Sequence, residues 1–212
     1  MNYYPAFLNL EGKKSVIVGG GKIAERKALS LIKAGAEVTV VSPLLTKRLQ
    51  KEKEAKRIRH ISRTFRTGDL KDSFLVIAAT DSPEVNSKVA DEAPGLLNVV
   101  DVPWECNFIA PSIVKRGPLV FAISTGGTSP AFAKAVRKEL EKLYGRVFSD
   151  YLGFVKTLRS RAMQEIADKP AREKFLKSLA SGEVLDTLRT KGLDPVKKSV
   201  MFRFSKLAAK KH

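Results

Sequence analysis

An α/β fold, with a parallel sheet covered by helices on both faces, is the class predicted for the first half of this 212-residue chain. Three observations predict it. Strand-like runs alternate with segments of helical periodicity, the pattern of βαβ units. One run, Phe74 to Ala79, is almost wholly apolar, as a strand buried on both faces must be. The first strand also ends in a glycine cluster that opens the first helix. A small segment of strands and one helix follows, and then a helical, basic region.

Taken in order, Lys14 to Val18 reads as a short buried strand. Ala24, Ala28, Leu31 and Ile32 then recur at helical spacing, and Gly35 sits where a helix-ending glycine belongs. Glu37 to Val41 is a second strand, rich in β-branched residues. Pro43 to Lys56 reads as a charged helical segment, Ile58 to Phe65 as a weaker third strand, Phe74 to Ala79 as the fourth. Pro83 to Ala93 is helical, and Leu96 to Val102 is a fifth strand. Ile109 to Val114 and Leu119 to Ser124 flank the turn Lys115-Arg116-Gly117-Pro118. Ser129 is a good helix N-cap and Pro130 a good first helical residue, so a helix is expected to about Tyr144. From Phe148 onward the pattern is helical, with 15 Lys/Arg against 7 Asp/Glu. Lys210, Lys211 and His212 are expected to fray. The expected domains are 1–112, 113–147 and 148–212.

Bulk properties narrow the class. No apolar run approaches the ~20 residues of a membrane span, and Met1 to Leu10 does not read as a signal peptide. The single cysteine, Cys106, excludes an intramolecular disulfide framework, so the cytoplasm is the expected compartment. The formal charge of +17 fits a solvated basic surface, a nucleic-acid partner or a polyanionic small substrate, and does not choose among them. The tail has no zinc knuckle, aromatic stacking pattern or helix-turn-helix glycine, which weighs against nucleic acid. No metal constellation is visible. His60 and His212 lie far apart, and His60 reads as a surface strand residue.

Gly19-Gly20-Gly21-Lys22-Ile23-Ala24 matches G-x-G-x-x-A. Gly19 permits a tight turn out of the strand. Gly21, without a side chain, lets a pyrophosphate approach the backbone, and Ala24 lets helix and strand pack closely. The helix start offers unpaired N–H groups to phosphate. Following a strand and opening a helix, the motif predicts a dinucleotide-binding Rossmann unit. One element is missing. The acid that holds the ribose hydroxyls in NAD-binding units is replaced by Ser42-Pro43, with Lys47 and Arg48 just beyond. The residues alone therefore leave NAD and NADP both open.

Ligands of open α/β sheets sit beyond the C-terminal ends of the strands. Asp81 follows the fourth strand, where it reads as a turn and helix cap. Asp101 lies near the end of the fifth, in apolar surroundings where an acid is costly unless paired or wet. It is a candidate proton acceptor or a structural acid. Ser124 to Ser129 is a hydroxyl-rich glycine loop leading into a helix. It reads as an anion cradle or as a plain turn.

Together, Pro5 to Leu10 (PAFLNL), Val18 to Lys27 (VGGGKIAERK), Ala78 to Asp81 (AATD), Asn98 to Asp101 (NVVD), Phe108 to Ser112 (FIAPS) and Ser124 to Pro130 (STGGTSP) resemble the precorrin-2 dehydrogenase family. That family also occurs as the N-terminal part of multifunctional sirohaem synthases. The resemblance covers about residues 1–150 and extends more loosely through the tail. It implies NAD-dependent oxidation of precorrin-2 to sirohydrochlorin, and a homodimer with a central dimerisation segment and a helical C-terminal domain. Some members also insert ferrous iron into the product, an activity that stays open here. On this resemblance the cofactor residues are Gly19, Gly20, Gly21, Lys22, Ile23, Ser42, Pro43, Leu44, Thr80 and Asp81. Asp101 matches the family's general acid/base. Ser124, Thr125, Gly126, Gly127 and Thr128 border the substrate, Thr125 standing where some relatives have serine. The rival from another class is a non-enzymatic NAD-binding regulator, since a Rossmann unit alone does not imply turnover.

Overall fold

The strands of the first half assemble about a central pair whose apolar residues are covered from both sides, Leu75–Ala78 being buried throughout and the edge strand Ile58–Ile61 least so. In the computed structural model, which describes residues 3–209, they are β1 (Lys14–Val18), β2 (Glu37–Val41), β3 (Ile58–Ile61), β4 (Leu75–Ala78) and β5 (Leu96–Val99). They form one parallel sheet in the order β3-β2-β1-β4-β5. Three helices lie between them: α1 (Lys22–Lys33), α2 (Lys47–Glu54) and α3 (Pro83–Glu92).

Alternate residues of each strand feed opposite faces. Ile17, Val40 and Ile77 pack with Ala24, Ala28 and Leu31 of α1 and Leu49 of α2. Val16, Val18, Val76 and Ala78 pack with Val89 of α3, Leu97, Val99 and Cys106. The chain works outward from β1 through β2 to β3, then returns to place β4 against the other side of β1. The strand order therefore reverses between β1 and β4, the switch point at which such sheets hold ligands. Val18 pairs with both Val41 and Ala78, and Ala78 with Val99, so four strands end level at this edge.

Several boundaries differ from the sequence reading. The helix expected from Pro43 begins only at Lys47, because Pro43 to Leu45 run without regular structure and Thr46 caps the helix by accepting from the Leu49 N–H at 3.2 Å. The third strand stops at Ile61. The fifth stops at Val99, so Asp101 is not a strand residue. It occupies a turn with φ of 62°, a left-handed conformation in which Asp and Asn are the commonest non-glycine residues, and it is exposed. The cost of a buried acid, which motivated the sequence reading, does not apply to it. Ser82, not Asp81, caps α3 by accepting from the Val85 N–H at 3.3 Å.

The chain divides into two compact units, the second beginning at Pro111. In it β6 (Ser112–Arg116) and β7 (Leu119–Ile123) make an antiparallel hairpin about Gly117-Pro118. Five helices follow: α4 (Pro130–Leu143), α5 (Arg146–Glu165), α6 (Lys169–Ser178), α7 (Gly182–Thr190) and α8 (Leu193–Ala208). Ser129, Asp168 and Ser181 cap α4, α6 and α7 with side-chain oxygens. Arg116 on the hairpin donates to the Tyr144 and Glu141 carbonyls at the C-terminal end of α4, where a cation is favoured. The helices close over Phe148, Tyr151, Leu158, Phe175, Leu188, Val200 and Phe204. The fraying expected of Lys210 to His212 lies outside the described residues. Among those described, no helix is long and apolar enough to cross a membrane.

Candidate dinucleotide site and the Asp101 turn

At the switch point the glycine turn shapes a cavity of about 760 Å³. All ten residues expected to hold the cofactor line it: Gly19, Gly20, Gly21, Lys22, Ile23, Ser42, Pro43, Leu44, Thr80 and Asp81. The glycines are there for different reasons. Gly19 has φ of 122°, and a Cβ on it would strike the Ala79 carbonyl of the neighbouring strand. Gly21, the N-cap of α1, has an ordinary φ of −79°, and a Cβ on it would meet no atom within 4 Å. Its missing side chain is therefore not required by the fold. The space it leaves lies at a helix start whose first N–H groups lack intrahelical acceptors, which fits a dinucleotide pyrophosphate.

The floor of the cavity is braced by residues the sequence reading did not single out. Thr46 donates from its backbone N–H to the Gly20 carbonyl at 3.1 Å and from its hydroxyl to Glu25 on α1 at 2.5 Å. One threonine thus caps α2 and ties it to the glycine turn. Asn86 of α3, buried, accepts from the Thr80 hydroxyl at 2.8 Å and donates to the Thr80 carbonyl at 3.1 Å. It fixes the loop that carries Thr80 and Asp81. The visible signal was a polar residue beside the apolar face of a helix, six positions after Thr80.

Ser42, also buried, donates its hydroxyl hydrogen to the Leu44 carbonyl at 2.7 Å. His60 lies half-buried, not on the open surface, with its Nε2 at 2.9 Å from the Ser42 carbonyl. Neither Lys47 nor Arg48 lines the cavity, and Arg48 pairs with Glu52. Thr64 and Phe65, which do line it, sit on a loop clamped by Arg63 and Asp69 through two hydrogen bonds of 2.7 and 2.6 Å. Those bonds hold the Asp69 carboxyl below its usual range against the opposing effect of burial, and the Arg66 N–H adds to them. An acid with a lowered folded pKa stabilises the fold above its unfolded value and loses that contribution as pH falls through the folded value. The Tm difference between the native protein and Asp69→Asn is therefore expected at full size near neutrality and to shrink below about pH 4. Thermal melts across that range check it.

Asp101 lies beyond the end of β5, at the same edge of the sheet. The preceding Asn98 is buried in the strand. Its amide donates to the Phe108 carbonyl at 3.3 Å, and its oxygen lies 3.4 Å from the Lys27 ammonium on α1. Burial is the main cause that pushes the Lys27 ammonium down, with Arg26 adding to it.

In the second unit, Ser124 to Thr128 form an exposed or half-exposed loop ahead of α4, with Gly126 and Gly127 both at positive φ. The Ser124 hydroxyl accepts from the Gly126 N–H at 3.0 Å. The Thr125 hydroxyl accepts from the Ser129 N–H at 3.1 Å. Thr125 thus performs a turn-closing role that either hydroxyl amino acid could fill.

The fold and the glycine-floored cavity define a dinucleotide-binding protein of the Rossmann class. Consistent with this, residues 6–112 match a family model described as "Putative NAD(P)-binding", and residues 116–143 match one described as "Sirohaem biosynthesis protein central". The chain is 38% identical over 191 residues to a siroheme synthase of Nitrosococcus oceani, covering 89% of this chain and 41% of that protein. It is 41% identical over 187 residues to a siroheme synthase of Methylobacillus flagellatus, covering 87% and 40%. It thus spans about two fifths of the length of these relatives. A solved structure titled SirC, precorrin-2 dehydrogenase, shares the fold, with a TM-score of 0.79 at 24% identity over 94% of this chain and all of that one. The chain belongs to the family of precorrin-2 dehydrogenases and sirohaem synthase N-terminal regions.

Proposed function

We propose that this chain oxidises precorrin-2 to sirohydrochlorin with NAD as the acceptor. The observation that carries the reading is the cavity at Gly19–Gly21, in a chain of this family, with the Asp101 turn at the same sheet edge. The oxidation removes two electrons and two hydrogens: a hydride reduces NAD to NADH, and a proton is released. When bound, the nicotinamide supplies the hydride acceptor, and the chain's residues supply the rest. The Gly21 backbone and the start of α1 hold the pyrophosphate. Ser42, Pro43 and Leu44 hold the adenosine ribose, and Thr80 and Asp81 hold the rest of the cofactor. Asp101 accepts the proton at its carboxylate.

The choice of NAD over NADP rests on Ser42. Its only hydroxyl hydrogen is spent on the Leu44 carbonyl, so toward a ligand its oxygen can only accept. A ribose 2′-hydroxyl can donate to it; a 2′-phosphate cannot. Of the residues lining the cavity only Lys22 is cationic, and it belongs to the glycine end. NADP is expected to bind at least about tenfold more weakly than NAD, a difference of ~1.4 kcal/mol. Ser42→Ala is expected to narrow that gap. Calorimetric titration of both nucleotides checks it; equal affinities would overturn the assignment.

Precorrin-2 is a polycarboxylate, and we assign Ser124, Thr125, Gly126, Gly127 and Thr128 to its carboxylates. The bare backbone of Gly126 and Gly127, both at positive φ and exposed ahead of the α4 N-terminus, supports this. A Ser124→Ala variant with unchanged KM for precorrin-2 would contradict it. We assign 1–112 to cofactor binding, 113–147 to dimerisation and 148–212 to a helical domain. The hairpin supports the second role: both of its outer edges are unpaired within the sheet, and Ile113 is half exposed on it. Sedimentation of the full chain should show a homodimer, and a monomer at micromolar concentration would remove this assignment.

A further inference from the structure

We propose that the buried thiol of Cys106 positions Asp101, by holding shut the base of the loop that presents it. The inference rests on the reading of Asp101 as proton acceptor. After β5 ends at Val99, the chain runs out through Asp101 and a short 3-10 turn, Pro103–Glu105, and returns at Cys106. The Cys106 sulfur sits inside that excursion. It lies 3.2 Å from both the N–H and the carbonyl oxygen of Val99, 3.3 Å from the Val102 carbonyl oxygen and 3.5 Å from the Asn98 amide nitrogen. The S–H donates to one of the two carbonyls at a time, and the sulfur accepts from the Val99 and Asn98 N–H groups. One atom thus engages the backbone on both sides of Asp101.

The returning limb is fastened independently. Asn107 accepts from the Leu97 N–H at 2.7 Å and donates to the Gly95 carbonyl at 2.9 Å, closing the open edge of β5 as a partner strand would. Asn98 donates to the Phe108 carbonyl. These bonds fix where the loop begins and ends. Inside the loop the backbone adds a long bond from the Val102 N–H to the Val99 carbonyl at 3.4 Å and one from the Glu105 N–H to the Val102 carbonyl at 3.2 Å. The thiol is the side chain that reaches both of these carbonyls, and between them Asp101 sits at φ of 62°, a conformation held by its neighbours. A plain core residue at position 106 would fill the same space without bonding either carbonyl. Sulfur also suits the task by size, because contacts of 3.2–3.5 Å in several directions match its radius better than that of oxygen.

The test is a double-mutant cycle on the full chain, measuring kcat, KM for precorrin-2 and NAD affinity. Cys106→Ala is expected to lower kcat about tenfold or more, since misplacing a reacting group by about 1 Å can cost about 10²-fold. NAD affinity should stay native, which also shows that the sheet is folded. Cys106→Ser, which keeps a donor and acceptor, should recover most of the loss. In an Asp101→Asn background the Cys106→Ala penalty should vanish, because there is no base left to misplace. Trp104, the only tryptophan and an exposed residue of the same loop, gives a readout independent of turnover: its fluorescence anisotropy should fall in Cys106→Ala. Native kcat in Cys106→Ala, or penalties that multiply unchanged in the Asp101→Asn background, would overturn the positioning role. Full turnover in Asp101→Asn alone would instead overturn the reading of Asp101. If Cys106→Ala fails to fold, Cys106→Val and Cys106→Ser carry the comparison, since valine fills the space and only serine restores the bonds.

Discussion

Asp101→Asn is expected to lower kcat for precorrin-2 oxidation by about 10²–10⁴-fold, the usual size of a lost general base. Asparagine is the right replacement because it tolerates the left-handed φ of this turn, as alanine does not. The substitution removes basicity and leaves the backbone in place. Asp101 is exposed and contributes nothing to the core, so the melting temperature should not move. NAD affinity should also be native, because Asp101 does not line the cavity. The expected signature is a fall in kcat with KM little changed, that of a group acting only in the transition state. A rise in KM alone would make Asp101 a binding residue.

Gly21→Val separates cofactor binding from folding. The position has an ordinary extended backbone, and a Cβ there meets no atom of the protein within 4 Å, so valine should fold at a cost of no more than about 1 kcal/mol, that of a poorer helix N-cap. The side chain would occupy the space proposed above for the pyrophosphate. NAD affinity is expected to fall by about a hundredfold or more, ~2.7 kcal/mol, with at most a small fall in Tm. Gly19→Ala should behave in the opposite way. Its Cβ would run into the Ala79 carbonyl, and φ of 122° suits only glycine, so it should cost about 1–3 kcal/mol of stability. Nucleotide titrations beside thermal melts of the two variants check the contrast. Native NAD binding in Gly21→Val would mean that the pyrophosphate lies elsewhere.

The contrast between these glycines shows what was legible in the sequence. The G-x-G-x-x-A spacing located the cavity and its strand-turn-helix setting, because that geometry is local and glycine has few other reasons to occur there. The apolar runs placed five strands within a few residues, since burial on both faces leaves a compositional trace. The end of β5 was misread for the same reason. Val100 and Val102 continue the apolar pattern, yet the chain leaves the sheet after Val99: Asp101 turns it at φ of 62° and the Val102 N–H folds back onto the Val99 carbonyl. A turn of this kind leaves no periodic trace. Thr46 and Asn86 were missed likewise: each looks like an ordinary helix-start or helix residue until the turn it braces is in place. The missing acid after β2 was visible, but its consequence was not. Only the Ser42–Leu44 hydrogen bond shows that the serine hydroxyl has spent its hydrogen and keeps acceptor capacity alone.

The proposed activity is tested most directly by an anaerobic turnover assay of the purified full chain with precorrin-2 and NAD. NADH formation is followed by its near-ultraviolet absorbance, and sirohydrochlorin by its own spectrum. The expected result is one NADH per sirohydrochlorin, lost in Asp101→Asn and in Gly21→Val for their different reasons. NAD binding with no turnover would contradict it, and would make this chain a dinucleotide-binding regulator built on a dehydrogenase fold.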